Sequence, residues 1–77
     1  MTTRIAYHAD ESYYADGKFL LIRVTENEAG YDVAQGGFST VEDALAVATR
    51  ANDAAGLTAN DVLDIRVSSM AVSNIAR

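Results

Sequence analysis

The sequence predicts an α+β domain in the order βββαβ: a three-stranded antiparallel sheet, one helix over about 40–55, then a fourth strand over about 63–69. Three observations carry this. All six aromatic residues fall within residues 7–38, while the second half is dominated by alanine, valine and serine, so sheet precedes helix. Apolar residues alternate in short runs through the first half, as half-buried strands require. A cap signature at Ser39 then opens a repeat of helical period.

The first strand is read over 4–9, where Ile5, Tyr7 and Ala9 share one face and Arg4, Ala6 and His8 the other. Asp16-Gly17 before an apolar run is a two-residue hairpin signal, because both central positions of the favoured turn need positive φ. Ser12–Ala15 then extend the strand beyond a bulge at Asp10-Glu11. Residues 18–26 form the clearest strand, with Leu20, Ile22 and Val24 on one face and Phe19 and Leu21 on the other, the pattern of a central strand. Asn27–Gly30 is a turn in which Gly30 supplies the left-handed conformation. Residues 31–35 return as a third strand with Tyr31, Val33 and Gln35 on one face.

Ser39-Thr40-Val41-Glu42 is a capping box, with Ser39 as the cap and Glu42 reaching back to it. Val41, Ala44, Leu45, Ala48, Ala51 or Asn52, and Ala55 follow at helical spacing, and Gly56 is the C-terminal cap, with Leu57 making the accompanying apolar contact. Thr58–Asp61 repeats the cap pattern and is read as a turn or one brief helical turn. Leu63, Ile65 and Val67 alternate with Asp64, Arg66 and Ser68, which predicts the fourth strand. Residues 70–77 either extend that strand or form a flexible tail of the single domain spanning 1–77.

Composition narrows the functions. A chain of 77 residues buries only about 60–65% of its unfolded surface, and fourteen of its apolar residues are alanines, so the core is thin and a deep substrate cavity is not expected. With no cysteine and one histidine, thiolate or histidine-cluster metal sites and cysteine nucleophiles are excluded, and no metal or cofactor is expected. Net charge is −5 and the six cations are scattered singly, which opposes phosphate-backbone binding, so no direct nucleic-acid binding is expected. The longest apolar run, Phe19–Ile22, is far below membrane-spanning length, and the N-terminus lacks a basic-then-apolar signal pattern. A cytoplasmic protein is expected, in the host cytoplasm if phage-encoded.

No nucleophile and base are fixed beside one another by motif, so a non-enzymatic role is expected and no catalytic residue is assigned. Gly36-Gly37 before a helix could cradle an anion, but Glu42 and Asp43 at the same end oppose one, and a structural turn is the better reading. The acids Asp10, Glu11 and Asp16 with Glu26, Glu28 and Asp32 would meet around a cation only if two turns met, and none has calcium-loop spacing. The candidate interaction surface is Tyr13 and Tyr14, stiff aromatics with polar tips, flanked by Asp10, Glu11 and Asp16, which would steer a basic partner. Exposed sheet edges without proline predict pairing with another chain, and a homodimer.

Residues 30–48, GYDVAQGGFSTVEDALAVA, resemble the strand, turn and capped helix of HicB-type antitoxins, with Gly30, Tyr31, Val33, Thr40, Glu42, Asp43, Ala44 and Leu45 matching in kind. The proline-rich link usual in that family is replaced by Gly36-Gly37-Phe38, and no DNA-binding appendage follows. The resemblance implies a local βα arrangement. In style the chain is also similar to small proteins of actinobacteria and their phages. The resulting expectation is a protein-interaction module, dimeric, binding a host or cellular protein. The alternative is an acidic nucleic-acid mimic, or an antitoxin-like inhibitor of a basic-surfaced protein.

Overall fold

A computed structural model describes residues 3–11 and 18–75, with side chains through Val72. Its elements are β1 (Ile5–Glu11), β2 (Phe19–Thr25), β3 (Asp32–Phe38), α1 (Val41–Ala54) and α2 (Ala59–Ile75). The strands form an antiparallel sheet in the order β1-β2-β3, with β2 central as its apolar residues on both faces predict. The Asp16-Gly17 turn and the Ser12–Ala15 extension lie outside the described residues.

The closing strand is not formed. Residues 59–75 are helical, so the order is βββαα, and residues 70–75 are the last turns of α2 where an extended strand or a tail was expected. The helix starts at a reciprocal cap: the Asp61 amide donates to Thr58 Oγ1 at 3.1 Å, and the Thr58 amide donates to Asp61 Oδ2 at 2.9 Å. No glycine or proline interrupts the segment, so the cap propagates into a full helix. The alternation of Leu63, Ile65 and Val67 is superimposed on a helical stripe of Asp61, Val62, Ile65, Ser69 and Val72, all buried or half-buried.

Ile65 is fully buried and packs with Ala6, Ile22 and Val24, flanked by Leu20, Leu57 and Val62. Ala6 pairs with Val24 and His8 with Ile22 across the strands, so α2 covers this sheet face. Ala9 and Leu21 point the opposite way, pair with each other, and are buried outside that cluster. So are Ala44 and Ala48 of α1, which packs chiefly along β1. Both helices pack on β1 and β2, α1 chiefly along β1. Alanines at the closest contacts let the layers approach with little side-chain volume between them.

The first helix has the expected extent, but its cap moves by one residue. Thr40, in extended conformation, accepts the Asp43 amide at 3.2 Å; Ser39 is not the cap and Glu42 does not close a box with it. Replacing Thr40 with Ala is expected to cost about 1 kcal/mol, and Ser39→Ala less than about 0.5 kcal/mol, in urea unfolding; equal losses would contradict the assignment. At the other end Gly56, at φ 76°, donates to the Asp53 carbonyl while Leu57 donates to that of Asn52. This is a Schellman cap, and Leu57 reaches the core as expected. It turns the chain from α1 into α2.

The third strand runs three residues further than expected and takes in Gly36 and Gly37. Two register shifts interrupt its ladder with β2. Val33 pairs with Ile22 and Gln35 with Leu21, adjacent residues on opposite faces of β2. Val33 and Gln35 therefore do not share a face, since an extra residue between them is bulged.

Candidate interaction surfaces

Of the tyrosine-and-acid hairpin, Tyr13, Tyr14 and Asp16 lie outside the described residues. Asp10 and Glu11 are exposed at the far end of β1, opposite Leu20 and Phe19. The pairing of Ile5 with Thr25 places Glu26 and Glu28 at the other end of that ladder, away from Asp10 and Glu11. Among the described residues no group of three or more potential ligands could hold a metal ion. Gly36-Gly37 belongs to β3, not to a loop against a helix start.

The acids near the second turn are engaged instead. Arg4 binds Glu26 through Nε and Nη2, and Asp61 through Nη1 at 3.1 Å, tying the start of β1 to the end of β2 and to the cap of α2. The hydrogen bond from Arg4 holds the Glu26 carboxyl below its ordinary range, and the Thr58 amide does the same for Asp61. Ser68 accepts the Asn27 amide at 3.0 Å, and Ser69 donates to the Glu28 carbonyl, so α2 also fixes the β2–β3 turn. A polar hollow of about 160 Å³ beside that turn includes Arg23, Thr25, Glu28, Tyr31 and Asp32 in its lining.

The two sheet edges differ. The Tyr7 amide donates to Asn52 Oδ1 at 2.8 Å, and Asn52 Nδ2 donates to the Tyr7 carbonyl at 3.0 Å. One buried side-chain amide thus takes both outward backbone groups of Tyr7 in the middle of β1, and with α1 packed along this strand it blocks strand addition there. The helical spacing leaves Ala51 and Asn52 as alternatives for the inner face of α1 and does not reveal this role. Among the described residues nothing seals β3: Asp32–Gly37 are all exposed, with Tyr31 just before it at 53% and Val33 at 55%.

A second exposed apolar surface lies on α2. Leu63, Val67 and Met70 are 56%, 55% and 62% exposed and recur at i, i+4 and i+7, opposite the buried stripe. The strand reading had put Leu63 and Val67 in the core. That spacing was visible in the sequence, but the shorter alternation through Ile65 masked it.

His8 is half-buried beside a hollow of about 260 Å³ whose lining includes Tyr7, Leu45, Thr49, Asn52 and Val62. Burial pushes its imidazole below the ordinary value, Arg66 adds to this, and Asp10 opposes it. The folded state disfavours the protonated form, so the His8 contribution to stability is complete above pH 6.5 and declines as pH falls below it. Urea unfolding at about pH 7.5 and about pH 5.5 is expected to show this loss, and His8→Gln should reduce it; an undiminished loss in the variant would contradict the assignment.

No helix among the described residues is long and apolar enough to cross a membrane. No protein-family model matches the chain, and neither a curated protein nor a solved structure matches it.

Proposed function

We propose that this chain is a non-enzymatic protein-interaction module that binds another protein and self-associates as a dimer. The observation that carries the reading is α2, which is apolar on two opposite faces although only one packs on the sheet. Large apolar side chains aligned along a solvent-facing stripe mark contact surfaces. The stripe runs Leu63, Val67, Met70, nearly symmetric about Val67, so an antiparallel copy would set Leu63 against Met70 and Val67 against Val67, as a two-fold contact requires. Tyr13 and Tyr14 remain a further candidate surface, and Asp10 and Glu11, which precede them in sequence, are exposed.

The test uses the full chain and its Leu63→Ser, Val67→Ser, Met70→Ser triple variant as baits in lysate of the source organism. A protein captured by the first and lost with the second is the expected result; identical captures would refute the α2 surface. Sedimentation of the same pair is expected to show a wild-type dimer at micromolar concentration and a monomeric variant, and a strictly monomeric wild type overturns self-association.

A second reading, an acidic mimic of nucleic acid or an antitoxin-like inhibitor, is favoured by the charge: eleven acids face six cations, and Arg4 and Arg23 are paired with acids. Binding by a mimic weakens steeply with salt, whereas contact through the α2 stripe does not.

A further inference from the structure

We infer that the outer edge of β3 accepts a short, extended, basic segment of a partner protein as an added strand. The inference rests on reading the chain as a contact module but uses a surface separate from α2, so either can fail alone.

Backbone direction supports it. Both polar backbone groups of Tyr7 are bound by Asn52 and therefore point away from β2. Alternation along the ladder then turns those of His8 toward Ile22, and those of Ile22 toward β1. Val33, the partner of Ile22 on the other side, is left with its amide and carbonyl directed outward. No described group hydrogen-bonds to this edge. The neighbouring bulges bend the strand, so the added segment is a short one.

Charge selects the occupant. Glu28 and Asp32 stand at one end of β3, and Glu42 and Asp43 at the other, all exposed. The nearby cations are Lys18 and Arg23, and Arg23 faces Asp32 at 3.9 Å. An antiparallel second copy would bring Glu28 and Asp32 of one chain against Glu42 and Asp43 of the other, which is repulsive. A strand carrying lysine or arginine at its ends meets acids at both, and its apolar residues lie beside Tyr31 and Val33.

The experiment titrates the isotope-labelled full chain with a capped Lys-Val-Lys-Val-Lys-Val peptide and, separately, with its Glu-Val counterpart, following backbone amides by NMR and hydrogen exchange. The Lys-Val peptide is expected to shift the β3 amides and slow exchange at Val33, with the Glu-Val peptide at least about tenfold weaker. Val33→Pro, which removes the outward donor, and Val33→Lys, which keeps the backbone but adds a like charge, should each weaken binding about tenfold. Absent perturbation of β3, perturbation confined to α2, equal response to both peptides, or full binding by the Val33→Lys variant each overturn the proposal. Concentration-dependent protection of Val33 without peptide also overturns it, in favour of a second copy.

Discussion

Replacing Ile65 with Ala is expected to remove about 2–5 kcal/mol of stability, while Leu63→Ala and Val67→Ala, measured on dilute monomer, each stay within about 0.5 kcal/mol. Ile65 is fully buried against Ala6, Ile22 and Val24, so truncation leaves a cavity where two elements meet. In so small a core that loss is a large share of a total on the order of 5–15 kcal/mol, and the variant should melt far below the parent. The contrast carries more information than the single value. A strand would place residues 63, 65 and 67 on one buried face, and all three truncations would be costly. A helix turns 63 and 67 away from 65. Urea unfolding of the three variants measures this directly, and comparable losses at all three would contradict the helix.

The second large effect is expected at Asn52. Its side chain is buried and satisfies both the amide and the carbonyl of Tyr7. Asn52→Ala leaves those groups without partners at the rim of the core, at a cost of about 1–3 kcal/mol. Asn52→Asp keeps an acceptor for the Tyr7 amide but sets a carboxylate against the Tyr7 carbonyl, so at neutral pH it should be the less stable of the two. Both also reopen the β1 edge, and aggregation at concentrations where the parent stays dispersed is the expected second sign. Parent-like stability in both variants would show that the edge is sealed by something other than this amide.

Much of the sheet and the first helix was legible because each local signal agreed with the packing. Residues 19–25 are apolar on both faces, and they form the central strand; Gly56 ends α1 in the left-handed conformation that its position suggested. The cap moved from Ser39 to Thr40 because both side chains can accept an amide, and it is Thr40 that takes the Asp43 amide. The second helix was misread for a physical reason. Isoleucine and valine at 62, 65 and 67 favour strands, and residues 63, 65 and 67 alternate as strands do. The same residues fit a helix with two apolar faces, and the Thr58–Asp61 cap tips the segment that way. A doubly apolar helix hides its period, since neither face is polar enough to mark it.

The candidate surfaces were less legible, because they depend on what tertiary packing leaves uncovered. Exposed edges were anticipated, yet sequence does not show that a buried asparagine closes one and leaves the other. Val33 and Leu63 read as core residues and prove more than half exposed, since the helices cover β1 and β2 and stop short of β3.

Residues 59–75 form one helix with an inner stripe on the sheet and an outer stripe exposed. Backbone carbon chemical shifts of the full chain test this most directly. Uninterrupted helical deviations from Ala59 to Ile75, passing through Leu63, Ile65 and Val67 without a break, are the predicted result. Strand-type deviations across Leu63–Val67 would return all three side chains to one buried face and remove the outer stripe with them.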